Sequence, residues 1–158
     1  MSSAPASPSD AAATPHRVLI AEDEALIRLD LAEMLREEGY EIVGEAGDGQ
    51  EAVDLAESLR PDLVIMDVKM PRRDGIDAAS EIASKRIAPI VILTAFSQRE
   101  LVEKARDAGA MAYLVKPFSI TDLIPAIEVA VSRFSEIAEL EREVASLSDR
   151  LETRKLVE

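Results

Sequence analysis

The chain has 158 residues, 47% of them hydrophobic and 31% charged, which suits one domain with an appendage and a sizeable core. The 31 Asp and Glu outnumber the 18 Lys and Arg, and the formal net charge of -13 favours solubility and makes the chain as a whole a poor binder of nucleic acid. There is no Cys, which excludes disulfides, thiolate zinc sites and thiol catalysis and fits a reducing compartment.

No apolar run approaches the roughly 18 residues of a membrane helix, and the first residues lack the basic and apolar regions of a secretory signal. A cytoplasmic protein without a membrane partner is the expectation. Residues 1–15 are mostly Ser, Ala, Pro and Thr, have little to bury, and are expected to be a disordered tail. His16 is the only histidine, which argues against a His-based phosphorelay site or a His metal cluster.

Residues 17–21 (RVLIA) read as a first strand, followed by Glu22, Asp23 and Glu24. Ala25, Leu26, Leu29, Met34 and Leu35 then recur at helical spacing up to a stop at Gly39. A second strand over 41–46 ends at Gly47-Asp48-Gly49, and Ala52, Val53, Leu55, Ala56 and Leu59 give a second helix. Leu63, Val64, Ile65 and Met66 are four apolar residues in a row after Pro61 and Asp62, the pattern of a strand buried on both faces. Asp67 ends that run, and Pro71, Asp74 and Gly75 mark a loop after it. A helix over 75–85 follows, with Ile76, Ala79 and Ile82 inward. Next come a buried strand over 89–94 (PIVILT) and a helix over 97–108 that Ser97 would cap with Glu100. A short strand over 112–115 is stopped by Lys116-Pro117.

Five short apolar strands alternating with amphipathic helices predict an α/β fold, a parallel doubly wound sheet covered on both faces. The loops at the carboxyl ends of its strands gather on one rim. Glu22 and Asp23 fall there after strand 1, Asp67 at the end of strand 3, Thr94 at the end of strand 4 and Lys116 at the end of strand 5. Three carboxylates together raise one another's pKa and invite a hard divalent cation, and Mg2+, which keeps several waters, suits so sparse a set. Lys116 supplies one positive charge and Thr94 a hydroxyl. The set would hold the equatorial oxygens of a phosphoryl group while the Asp67 carboxylate attacks phosphorus. Any one of these residues alone is as readily a solvated charge or a turn cap; the informative observation is five of them at chosen strand ends.

As a set, these residues resemble the response-regulator receiver domain of two-component signalling, over roughly residues 17–132. The resemblance implies a flavodoxin-like, CheY-like fold in which Asp67 is the phosphoacceptor and Thr94 the switch hydroxyl. It implies that Tyr113 is the aromatic switch residue and that Lys116-Pro117-Phe118 carries the family's lysine before a cis proline. Asp23 would ligate Mg2+ directly, Glu22 through water, and Lys69 through its backbone carbonyl. Glu22 stands where Asp is more frequent. A plain core position is the alternative for Tyr113. For the Lys69 side chain the alternatives are a solvated group or one that reaches the phosphoryl and tunes its lifetime.

After the receiver, expected over 16–132, Ser119 and Asp122 resemble a capping box opening a last helix. That helix can run to about Leu156, since no Gly or Pro follows Pro125. Ile137, Leu140, Val144, Leu147 and Leu151 step by three and four, a narrow seam predicting a helical coiled-coil linker over 133–158 and, through it, a homodimer. A receiver with such a linker, ending in RLETRKLVE, is similar to the actinobacterial antitermination regulators whose output is an ANTAR RNA-binding module. Most of that module would lie beyond Glu158, so RNA is an expected partner of the missing module and not of this chain. The expected function is a two-component response regulator that takes a phosphoryl group from a sensor histidine kinase, with Mg2+, and controls transcription antitermination. It would catalyse its own phosphorylation and slow dephosphorylation without being a turnover enzyme. The rival readings are a phosphorylation-independent dimerising scaffold and a metal-dependent aspartyl-phosphate hydrolase. The hydrolase needs a second Asp two residues after the nucleophile, where Lys69 stands.

Overall fold

The computed structural model describes residues 17–95 and 99–157, with side chains through residue 151. The expected tail, His16 and the Ser97 cap lie outside the described residues. β1 (Arg17–Ala21), β3 (Leu63–Asp67) and β4 (Ile90–Thr94) are buried along their lengths, apart from half-buried Arg17. These near-continuous apolar runs take the interior of a five-stranded parallel sheet ordered β2-β1-β3-β4-β5. The edges are the less buried β2 (Glu41–Ala46) and β5 (Ala112–Val115).

The helices are α1 (Ala25–Glu37), α2 (Gly49–Leu59), α3 (Gly75–Ser84), α4 (Arg99–Asp107) and α5 (Ile120–Val157). The strand period of two sorts the core into two layers. Leu19, Ala21, Val64, Met66, Ile90 and Ile92 point to the face covered by α2, α3 and Ala105 of α4. Val18, Ile20, Leu63, Ile65, Val91 and Leu93 point to the face covered by α1 and α5.

One apolar stripe differs from the expectation. Leu26 is 80% exposed and Leu29 48%, while Leu31, Ala32 and Leu35 are the buried residues of α1. Two apolar stripes compete on this helix, and a 3.6-residue period lets only one face the sheet. Leu26 and Leu29 share the outer stripe with Glu33.

The loop after β3 is fixed by two close backbone approaches. The Gly75 N–H donates to the Val68 carbonyl at 2.8 Å, and a Cβ on Gly75 would stand 1.9 Å from the Asp67 carbonyl oxygen. A Cβ on Gly49 would stand 2.0 Å from the Arg73 carbonyl oxygen, so the start of α2 is packed equally tightly on the same loop. Asp48 caps α2 by accepting from the Glu51 N–H at 2.8 Å, and Asp74 caps α3 by accepting from the Asp77 N–H at 2.8 Å. Both caps thereby tie their helices to the rim.

In α5 the Asp122 carboxylate accepts from the Ser119 N–H at 3.0 Å and from its hydroxyl at 3.2 Å. The helix runs unbroken past Pro125. Leu123, Ile127 and Ala130 are buried on the sheet, and Phe134, Ile137 and Ala138 then line a small cleft with Ala83, Ala88 and Met111. Arg86 donates to both carboxylate oxygens of Glu141 at 2.7–3.1 Å, pinning the helix to the corner between α3 and β4. Leu140, Val144, Leu147 and Leu151 are all more than half exposed.

Substituting Gly75→Ala pushes a methyl group into the Asp67 carbonyl, whereas at Gly39 (φ 97°) a Cβ meets nothing within 4 Å. In urea titration, Gly75→Ala is expected to lose about 3 kcal/mol or more through overpacking. Gly39→Ala is expected to lose only about 1–2 kcal/mol from left-handed backbone strain.

Candidate functional site

The sheet order places the chain's change of direction between β1 and β3, since β2 lies on one side of β1 and β3, β4 and β5 on the other. A crevice at the carboxyl ends of the strands opens at such a switch point. β1 delivers Glu22 and Asp23 to one side of it and β3 delivers Asp67 to the other. Carboxylate oxygens of these three residues all lie within 4.8 Å of one another. Glu22 and Asp67 are buried and Asp23 is exposed, so the cluster is open to solvent on one side. The donors are all hard oxygens around an open position, the chemistry that suits Mg2+.

Lys116, at the end of β5, closes the cluster. Its Nζ donates to Glu22 Oε1 at 2.9 Å and lies 3.2 Å from Asp67 Oδ2. The lysine N–H is itself held by the Thr94 carbonyl at 2.7 Å, and the Lys116-Pro117 peptide is cis. The Thr94 side chain is buried at the end of β4. Asp23, Asp67, Lys69, Thr94 and Lys116 line one cleft of about 490 Å³. A larger groove of about 880 Å³ opens beside it between α3 and α4, reaching Asp23 and Lys69 but not Asp67, Thr94 or Lys116.

The electrostatics are unequal across the cluster. Burial, then the neighbouring Glu22 charge, pushes the Asp67 carboxyl up to about 6, against the pull of Lys116. Burial also pushes Glu22 up, but the Lys116 ammonium and the Glu24 N–H (3.1 Å) outweigh it and hold that carboxyl below its usual value. Lys116 is likewise penalised by burial yet ends above its usual range because of Glu22 and Asp67. The one ammonium therefore serves Glu22 first, and Asp67 carries the unrelieved cost of desolvation.

The structure thus brings together Glu22, Asp23, Asp67, Lys69, Thr94 and Lys116. Tyr113 is not among them. It is 46% exposed, so the core alternative is ruled out, and it lines a separate groove between α4 and α5 with Val102, Ala105, Arg106 and Met111. The sequence reading passed over Arg28. Its guanidinium donates to the Glu22 carbonyl at 2.5 Å and to Glu45 Oε1 at 3.2 Å. The readable signal was an arginine one turn into a helix that follows an acidic strand end.

The chain belongs to the response regulator receiver domain family, whose model matches residues 18–128. It is 88% identical over 147 residues to the "Transcriptional regulatory protein PdtaR" of Mycobacterium tuberculosis, a match covering 93% of this chain and 72% of that protein. It is 41% identical over 112 residues to the chemotaxis protein CheY of Thermotoga maritima, covering 70% of this chain and 93% of that one. Among solved structures, CheY in the CheX-CheY-BeF3-Mg complex of Borrelia burgdorferi superposes with a TM-score of 0.68 at 29% identity, covering 72% of this chain and 87% of that chain. The receiver domain of a NarL regulator of M. tuberculosis superposes at 0.70 and 27% identity, covering 75% and 97%.

The raised Asp67 has a consequence for stability. Its folded value of about 6 lies above the ordinary 3.8, so between those values the native state holds a proton that the unfolded chain has released. The contribution of this group is fully present below the ordinary value and is lost as pH rises through about 6. Asp67→Asn removes the charge and keeps the shape. At pH of about 8 it is expected to raise stability by about 1–3 kcal/mol, and that gain is expected to shrink as pH falls below about 6 and to vanish below the ordinary value of 3.8. Thermal melts of the two proteins across this range check it.

Proposed function

We propose that the chain is a phosphoryl-accepting signalling switch. A sensor histidine kinase is the donor and Asp67 the acceptor. The observation that carries this reading is the Lys116 ammonium shared by Glu22 and Asp67 beside the exposed Asp23 carboxylate. That arrangement leaves a desolvated nucleophile facing a cleft with a cation-binding side and a hydroxyl side. An Asp67 carboxylate oxygen attacks the phosphorus of a phosphohistidine. The P–O bond forms as the P–N bond breaks, and the imidazole leaves with the bonding pair. Lys116 moves from Glu22 to a phosphoryl oxygen, and the Thr94 hydroxyl donates to another. Asp23 would hold Mg2+ directly, with Glu22 through water, Asp67 and the Lys69 carbonyl completing the protein's share; the ion supplies charge neutralisation as two anions approach. Thr94 and Tyr113 are the switch residues of this reading. Phosphorylation biases their positions only as far as it interacts differently with the two states.

Lys69 stands where the hydrolase rival needs a carboxylic acid, which favours a stored acyl phosphate over rapid turnover. The output reading rests on the relative named as a transcriptional regulator and on the form of α5. We read the receiver as 16–132 and residues 133–158 as a linker toward an ANTAR-type RNA-binding module that controls transcription antitermination in the cytoplasm. The seam from Ile137 to Leu151 favours pairing of two copies through that linker, since its apolar side chains are exposed. Among the described residues no helix is long and apolar enough to cross a membrane.

Incubation with acetyl phosphate and Mg2+, followed by intact-mass measurement, is expected to show one added phosphoryl group. Asp67→Asn is expected to gain none. Asp23→Ala is expected to need far more Mg2+ than wild type, whereas Glu24→Ala is not. Equal labelling of Asp67→Asn would place the nucleophile elsewhere.

A further inference from the structure

We propose that Arg28 is a positioning residue that holds the β1–α1 loop in the geometry needed for a divalent cation, an inference that rests on reading Glu22, Asp23 and Asp67 as the cation site. Only three residues, Glu22 to Glu24, join β1 to α1. Glu22 is held at every polar group. Its N–H donates to the Ala46 carbonyl at 2.9 Å, its carboxylate accepts from Lys116 and the Glu24 N–H, and its carbonyl accepts from Arg28 Nη1 at 2.5 Å. That carbonyl belongs to the peptide joining Glu22 to Asp23. The plane of this peptide sets the direction in which the Asp23 side chain leaves the backbone, so the arginine acts on Asp23 through one rigid amide.

The helix beyond offers little else to fix the joint. Glu24, at the start of α1, makes no side-chain cap bond, and the first turn of α1 carries no acidic residue. The backbone tie is a single bond from the Arg28 N–H to the Glu24 carbonyl at 3.0 Å. The arginine is anchored from the far side by Glu45 on edge strand β2, and its side chain is only 22% exposed. One guanidinium thus spans helix, loop and edge strand by donating from two separate nitrogens, Nε and Nη1, a wider and more fixed reach than one ammonium nitrogen offers. Mg2+ tolerates little error, because it demands near-octahedral oxygens at about 2.0–2.1 Å.

The sign of the effect separates this role from two ordinary ones. A cationic bystander repels a metal ion, so removing it would tighten Mg2+ binding. A purely structural residue would lower stability and leave Mg2+ affinity alone. A positioning residue weakens Mg2+ binding when it is removed, although a repelling charge has gone.

Titration of the unphosphorylated protein with Mg2+ alone, followed by NMR of backbone amides, tests this, with a urea midpoint recorded for each variant. Arg28→Gln is expected to weaken Mg2+ about tenfold, the usual consequence of losing an outer-shell partner. Arg28→Lys keeps the charge but not the double reach, and is expected to fall between Arg28→Gln and wild type. It remains informative if Arg28→Gln does not fold. Unchanged or tighter Mg2+ binding in the folded Arg28 variants would overturn the proposal, and so would a fall in urea midpoint without a change in affinity. Asp23→Ala is measured alongside. If it weakens Mg2+ while the Arg28 variants match wild type, Arg28 alone is wrong; if it too matches wild type, the cation site itself is wrong.

Discussion

The site depends on one ammonium group set among carboxylates that the fold has partly removed from water. Lys116 lies 2.9 Å from Glu22 and 3.2 Å from Asp67, and both acids are buried. Two buried carboxylates with one counter-charge cannot both be comfortable. Glu22 takes the better share of the ammonium and its carboxyl is held down, while Asp67 is pushed up. The imbalance is the useful feature. It leaves negative charge without a full counter-charge at the open side of the cluster, the condition that favours a divalent cation, and in the proposed function it lets Lys116 turn from Glu22 to an incoming phosphoryl group.

Holding that imbalance is a task for the whole sheet. Glu22 and Lys116 are 94 residues apart and come from strands separated in the sheet by β3 and β4. The β3–α3 loop is closely packed, since a Cβ on Gly75 or Gly49 would meet a backbone carbonyl oxygen at 1.9 or 2.0 Å. The caps at Asp48 and Asp74 fix α2 and α3 to the same rim. The opposite side of the molecule carries the helical extension. There Arg86 grips Glu141, and the apolar seam beyond it faces solvent. The site and the start of the extension are thus built on one sheet, whose α1/α5 face buries Leu123, Ile127 and Ala130 of α5.

Much of this was legible from residues alone. The short apolar runs at 63–66 and 89–94, bounded by Pro and turn residues, read as doubly covered strands, and their ends placed Asp67 and Thr94 on one rim. The acidic pair and Lys116 followed by the same logic. What was less legible involved contacts that periodicity does not encode. Leu26 and Leu29 fit a helical stripe as well as Leu31 and Leu35 do, and only the sheet beneath decides which stripe turns inward. Arg28 looked like any surface arginine, because its importance lies in a bond to a backbone carbonyl six residues earlier. The caps at Asp48 and Asp74 were readable as Asp three residues before an acid, but a loop reading absorbed them. The exposure of Tyr113 follows from its position on the edge strand β5, which strand order fixes and sequence spacing does not.

In the metal-free protein Asp67 thus sits desolvated and only partly compensated by Lys116. Carbon-13 NMR of the Asp67 carboxyl, followed through a pH titration with and without Mg2+, tests this most directly. An apparent pKa near the raised value of about 6 is expected in the metal-free protein, falling markedly when Mg2+ is saturating. An ordinary carboxylate value in the metal-free protein, or one that Mg2+ leaves unmoved, would contradict it.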